Sequence, residues 1–90
     1  MIKIKRKKED AQWLKALGEH LNQVILKKGY KSPYEFWVEA LGEEVSRASL
    51  NYILNGRVDV KATTLKKLAD ALEITPSELL NFKIKYVSGK

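Results

Sequence analysis

The sequence of 90 residues has no cysteine and a single histidine, His20. The lack of cysteine excludes disulfide bonds and thiolate chemistry, and it is consistent with a reducing compartment. His20 stands within a helical pattern without a cluster of acidic residues around it. We therefore expect neither a metal site nor a general base at that position.

Long apolar runs and enzyme motifs are also missing. No segment approaches the roughly 20 apolar residues of a membrane span, and a polar helical pattern follows the basic N-terminus where a signal peptide would need an apolar core. There is no glycine-rich phosphate loop or nucleophile motif, and the adjacent carboxylates of Glu43 and Glu44 fit a solvated turn. We expect a cytoplasmic protein that is not an enzyme, needs no cofactor and has no membrane partner.

Negative charge is in deficit, because 17 Lys and Arg residues outnumber 11 Asp and Glu residues and give a net charge of +6. This balance favours an anionic partner, with nucleic acid ahead of an acidic protein or a membrane surface. The length and a hydrophobic fraction of 44% predict one globular domain with one modest core.

Residues 46–57 form the segment around which the chain is organised. Ser46 is a good N-cap, and Gly56 suits the left-handed position that ends a helix. Leu50, Ile53 and Leu54 fall on one apolar face. The opposite face has small or hydrogen-bonding side chains and no carboxylate. Such a helix fits the DNA major groove, where polar side chains read base edges, but a solvated polar face explains this stretch equally well.

Cap and period signals predict an all-α, compact fold of five helices. Ser32 and Thr75 each open a capping box with proline at the first helical position, and Thr63 or Thr64 caps the fourth helix. The second and third helices form a tight pair, and Gly18 in the first helix allows a neighbouring helix to approach closely. The predicted helices cover residues 9–28, 32–41, 46–55, 63–72 and 75–82.

The two termini alternate apolar and basic residues, which is the period of a strand. Our hypothesis is that short terminal β-strands pair as a small sheet, within one chain or across a dimer. The predicted organisation is a basic arm or strand at 1–8, a helix-turn-helix domain at 9–82, and a tail or strand at 83–90. The arm either follows a phosphate backbone or is simply solvated. Its cations are Lys3, Lys5, Arg6, Lys7 and Lys8.

Five helices in this order resemble the Cro/C1-type (XRE-like) helix-turn-helix family. The resemblance covers about residues 13–80. It rests on residues 46–57, where the family commonly shows Ser-x-x-x-Ile-x-x-Ile-x-x-Gly-Lys/Arg, and above all on residues 65–80, which are very like the family's closing helices.

The resemblance implies a sequence-specific regulator of transcription that binds double-stranded DNA, most simply a dimeric repressor that reads a palindrome with helix 46–55 in the major groove. The positions implied to read bases are Arg47, Ala48, Ser49, Asn51 and Tyr52. The positions implied to contact phosphate are Ser32, Tyr34, Asn55, Arg57 and Lys61; Ser49 suits either role.

Three features depart from the family pattern. The stretch from residue 29 to 46 is several residues longer, so the second helix or its turn must be extended. Trp37 occupies a place where a small residue is common, so either Ala40 packs there or the helices lie farther apart. Leu54 replaces a common acidic residue, and we interpret it as part of the core.

Two alternative functions stay open. Many Cro/C1-type antitoxins bind both an operator and a toxin protein, and the termini of this chain are the natural place for such a partner. A domain that keeps the fold but binds protein instead of DNA is the other alternative.

Overall fold

The computed structural model describes the backbone of residues 2–86 and the side chains of residues 8–86. Within that range the chain forms five α-helices and no strand, which confirms the predicted all-α fold. The helices are α1 (Ile2–Lys27), α2 (Pro33–Phe36), α3 (Arg47–Leu54), α4 (Ala62–Leu72) and α5 (Pro76–Leu79). A π-helical turn at Trp37–Leu41 and a 3-10 turn at Gly42–Glu44 continue α2 toward α3.

One apolar core lies between the helices. In α1 the buried side chains of Leu17, Leu21 and Ile25 follow one another at four-residue spacing and form a single stripe. Phe36 of α2 is fully buried and meets the ring of Tyr30 edge-on at 5.2 Å. The other buried members are Leu41, Val45, Leu50, Ile53, Leu68, Ala69, Leu72 and Leu79.

Two glycines let the backbones of α1 and α3 touch. A Cβ atom at Gly18 would lie 2.6 Å from the carbonyl oxygen of Ile53 and would also overlap that of Leu54. Gly56, with φ of +68°, ends the turn after α3, and a Cβ there would lie 2.6 Å from Cα of Lys15. The prediction that Gly18 allows a close helix approach is confirmed, and so is the left-handed conformation of Gly56.

The helix caps follow the sequence signals with two exceptions. The hydroxyl of Ser32 accepts from the Glu35 backbone N–H, but the Glu35 carboxylate accepts from the N–H of Lys31 rather than from that of Ser32. In α4 the predicted threonine cap is wrong, because Lys61 holds the extended cap conformation and Thr63 already lies inside the helix.

The capping box at α5 is complete. Thr75 Oγ1 accepts from the Glu78 N–H at 3.1 Å, and the Glu78 carboxylate accepts from the Thr75 N–H at 2.9 Å. The Glu78 carboxylate also accepts from the Thr75 hydroxyl at 3.1 Å. The two hydrogen bonds that the carboxylate accepts, first from the Thr75 backbone N–H and then from its hydroxyl, lower the pKa of Glu78 because they stabilise its charged form.

The predicted N-terminal strand is wrong, since α1 starts at Ile2 and passes through Glu9 without a break. The alternation there involves only Ile2 and Ile4. Lysine and arginine are good helix formers, and no glycine or proline interrupts residues 2–17. A helix satisfies its own backbone hydrogen bonds, whereas a strand needs a partner. The division of the chain at residues 8 and 82 stays a prediction.

The predicted C-terminal strand and the terminal sheet are also wrong for the described residues. Residues 81–86 are irregular, and residues 2–8, their expected partner, are helical. Instead the Phe82 ring packs on α1, with ring centroids 5.4 Å from Trp13 and 5.3 Å from His20. The expectations that concern Met1 and residues 87–90 lie outside the described residues.

Replacing Gly18 by alanine should destabilise the fold. By helix propensity alone, alanine in place of a mid-helix glycine would raise the free energy of unfolding by about 1 kcal/mol. Here, however, the new methyl group meets backbone oxygens that cannot rotate away, and such overpacking lowers the free energy of unfolding by about 1–3 kcal/mol. Urea unfolding should show a lower midpoint for Gly18→Ala. Gln23→Ala, at an exposed position of α1, should stay within about 0.5 kcal/mol of the parent. A Gly18→Ala variant as stable as the parent would contradict the close contact.

The contribution of Glu78 to stability should depend on pH in the direction set by its lowered pKa. The folded state favours the carboxylate, so the contribution is complete above the ordinary pKa of about 4.3 and is lost as the pH falls through the lower folded value. The difference in urea midpoint between the parent and Glu78→Gln should therefore shrink below about pH 4. A difference that stays constant down to pH 2 would show that the carboxylate charge is not involved.

Candidate nucleic-acid interface

The polar face of α3 points to solvent because its apolar face is fixed to the core. Leu50 and Ile53 are buried, and Leu54 is half-buried against the core as predicted. The side chains left exposed on this helix and its cap contain no carboxylate. They are Ser46, Arg47, Ala48, Ser49, Asn51, Tyr52 and Asn55.

Side-chain hydrogen bonds define both ends of α3. The Ser46 hydroxyl accepts from the Ser49 N–H at 3.0 Å and donates to the Ser49 hydroxyl at 2.9 Å. At the other end, the Asn55 side-chain amide donates to the carbonyl oxygen of Asn51 at 2.8 Å. Ser49 and Asn55 therefore serve the helix ends as well as the exposed face.

Arg47, the first residue of α3, contacts the aromatic side chain of Tyr34 in α2. The Arg47 Cζ atom lies 4.4 Å from the centroid of the Tyr34 ring, which is the geometry of a cation–π contact. The Tyr34 ring is 52% exposed, so the pair forms part of the surface rather than of the core. The structure thus brings together two residues to which the family resemblance gave separate roles.

Trp37 supports this pair from the π-helical turn. Its ring centroid lies 6.2 Å from that of Tyr34, and its indole N–H donates to the carbonyl oxygen of Val45 at 2.7 Å. Val45 directly precedes the N-cap of α3, so Trp37 connects the end of the α2 segment to the start of α3. The signal in the sequence was an indole N–H, which needs an acceptor when its ring is half-buried.

The extra length that the sequence shows between the two helices lies in the stretch that contains the π-helical turn and the 3-10 turn. The Gly42 N–H donates to the carbonyl oxygen of Trp37, five residues back, and Gly42 then takes a positive φ of 58°. The wider turn keeps the chain helical up to Leu41, which is buried. The second helix is therefore extended, as expected, and Ala40 packs against the core beside Trp37.

A shallow groove of about 270 Å³ runs beside α3 toward the start of α4. Tyr52, which is 51% exposed, lines it together with Lys61 and Asp59. Sequence reasoning missed Asp59, an exposed carboxylate that lines the same groove as Lys61. The sequence does not show that the loop after Arg57 packs beside α3, and this packing is what places Asp59 in the groove.

Comparison with known families identifies this arrangement. A family model described as a Cro/C1-type HTH DNA-binding domain matches residues 20–85, which is more than two thirds of the chain. The chain belongs to the Cro/C1-type HTH DNA-binding family. The comparisons with curated proteins and with solved structures gave no match.

Membership in the Cro/C1-type family makes this protein a DNA-binding regulator in general terms, and the family is typically non-enzymatic. The matched range contains α2 to α5 and residues 20–27 of α1. It therefore includes every residue predicted to read bases and all the predicted phosphate contacts except the cations of the N-terminal arm. In the described part of the chain, no helix is both long and apolar enough to cross a bilayer.

The predicted phosphate-contacting residues of this Cro/C1-type domain lie on different elements. Ser32 and Tyr34 start α2, and Arg57 and Lys61 are exposed in the loop after α3. Lys8 is exposed on α1, whereas the side chains of Lys3, Lys5, Arg6 and Lys7 lie outside the described residues. The individual roles of all these residues stay predictions.

Replacing Trp37 by phenylalanine should separate the contribution of its hydrogen bond to stability from that of its ring. The ring remains, but the carbonyl oxygen of Val45 loses its indole donor. The free energy of unfolding should fall by about 0.5–1.5 kcal/mol in urea titrations, with the helical circular dichroism unchanged. Val38→Ala, at an exposed position of the same turn, is the matched control and should have a smaller effect. Equal stability of Trp37→Phe and the parent would mean that this bond does not hold α3.

Proposed function

We propose that this protein is a sequence-specific transcriptional repressor that inserts α3, with its cap, into the major groove of double-stranded DNA. The observation that carries the proposal is the exposed face of α3. It is free of carboxylates and has Arg47 at its start and Arg57 just beyond its end, and the helix that carries it packs directly on the backbone of α1. A polar, positively flanked helix is what base-edge reading in the major groove requires.

The proposed roles divide between base edges and backbone. Arg47, Asn51 and Tyr52 are the longer exposed side chains within α3, and Ala48 and Ser49 are short enough to allow close approach. We assign these five to the bases. The cations Arg57 and Lys61 and the polar groups of Ser32, Tyr34 and Asn55 are assigned to phosphate, which fixes the register of the helix without carrying sequence information.

A homodimer extends this proposal. One helix of 8 residues contacts only a few base pairs, and helix-turn-helix proteins gain specificity by pairing two such helices on half-sites one helical turn apart. We therefore propose that two copies read a palindrome, and that repression follows from occupation of the operator.

An antitoxin is the second candidate, and the family match supports it indirectly. Residues 1–19 lie outside the matched DNA-binding range, although α1 covers residues 2–19. Val38, Leu26 and Tyr86 are large apolar side chains exposed outside α3. A toxin protein bound on these surfaces would leave α3 available for DNA. Stoichiometric co-elution with a co-expressed toxin, together with operator binding, would favour this candidate.

The decisive experiment is selection from a random duplex DNA pool at near-physiological salt, followed by sequencing. We expect a two-fold-symmetric motif with half-sites about 10 base pairs apart. Retention of DNA without any enriched motif would overturn the proposal. Weak, strongly salt-dependent binding of all sequences would instead favour a domain that keeps the fold and binds protein.

Substitution of the two arginines should separate base reading from phosphate contact. Arg47→Ala should reduce the free energy of operator binding by about 1–3 kcal/mol and relax specificity at one base pair of each half-site. Arg57→Ala should weaken binding to all sequences alike and reduce the slope of log K against log salt by about 1. Lys66→Ala removes the same charge from α4, where it is paired with Asp70 at 2.8 Å, and controls for net charge. An unchanged site preference for Arg47→Ala would contradict its assignment.

A further inference from the structure

We propose that Tyr34 positions the guanidinium of Arg47 for the recognition of a guanine in each DNA half-site. This inference rests on the proposed function, and it names one base that α3 reads and one residue that acts through Arg47.

The contact between the two side chains is the first step. Arg47 Cζ lies 4.4 Å from the Tyr34 ring centroid, well inside the distance of about 6 Å at which a ring attracts a cation. An arginine side chain on a helix surface otherwise has many rotamers, and fixing one of them opposes binding. Contact with Tyr34 restricts Arg47 before DNA arrives.

The Tyr34 ring is itself held in place. Trp37 lies one helical turn further along, with its ring 6.2 Å away and tilted by 30°, and its indole N–H is bonded to the carbonyl oxygen of Val45 at 2.7 Å. The row of Trp37, Tyr34 and Arg47 is thus connected at both ends to the start of α3. Contacts within the protein therefore determine where these three side chains lie relative to α3.

The chemistry of the positioned group selects the base. A guanidinium has five N–H donors that point outward in its own plane, so a contact centred on Cζ over the ring leaves donors available. Two parallel N–H donors match O6 and N7 of guanine in the major groove. Within residues 8–86 the ion pair joins Lys66 to Asp70, so Arg47 forms no ion pair with a carboxylate of that range. Recognition helices address bases with their N-terminal residues, and Arg47 is the first residue of α3.

The test measures discrimination at single base pairs. Dissociation constants are determined at one salt concentration for the selected operator and for operators with each guanine replaced in turn. Tyr34→Ala should reduce discrimination about two- to five-fold at the base pair that Arg47→Ala affects, and at no other. Tyr34→Phe keeps the ring and should retain the discrimination. In the Arg47→Ala background, Tyr34→Ala should cause no further loss at that base pair. Val38→Ala is the matched control, since Val38 is as exposed as Tyr34.

Each outcome decides the proposal. Tyr34→Ala could weaken all operators alike and leave discrimination at every base pair unchanged. Tyr34 would then act only through phosphate, and the inference would be overturned. Loss of discrimination at a base pair that contains no guanine contacted by Arg47 would overturn it as well. A selected motif with unchanged discrimination in Tyr34→Ala would overturn the inference and leave the proposed function standing, whereas the absence of any motif would overturn both. The ring-current shift of the Arg47 side-chain protons, lost in Tyr34→Ala and kept in Tyr34→Phe, verifies in the free protein that the contact exists. Unchanged helical circular dichroism verifies that both variants fold.

Discussion

The contact between the backbones of α1 and α3 is the constraint on which the interface depends. Gly18 on one helix and Gly56 after the other remove the side chains that would separate them, so the last turn of α3 rests directly on α1. A helix of 8 residues has little stability of its own. Its orientation therefore comes from this contact and from the burial of Leu50 and Ile53, which together force the polar side chains outward.

The other end of α3 is fixed by a different kind of contact. The π-helical turn at Trp37–Leu41 adds length to the α2 segment, and the same turn carries the indole that bonds to the carbonyl oxygen of Val45. The extra residues therefore do not loosen the helix pair. π-helical turns frequently occur at functional sites, and here the turn supports the aromatic surface on which Arg47 lies.

Local signals predicted most of the fold. The caps at Ser46 and Thr75, the prolines that open α2 and α5, and the left-handed turn at Gly56 each depend on a few neighbouring residues, and the structure confirms them. Prediction failed where the pattern was short or lacked a partner. Two isoleucines are too few to distinguish a strand from a helix at residues 2–5, and a strand exists only if another part of the chain pairs with it.

The sequence by itself determined the five helices, the positive charge, and the apolar and polar sides of α3, because propensity, capping and periodicity act over a few residues. Only the tertiary structure decided that Tyr34 and Arg47 touch, that Asp59 lines the same groove as Tyr52, and that Phe82 packs on Trp13 and His20. Periodicity shows which face of a helix is buried but not what covers it. Contacts between residues distant in the sequence are set by how the helices pack, and in this domain that packing begins where Gly18 meets α3.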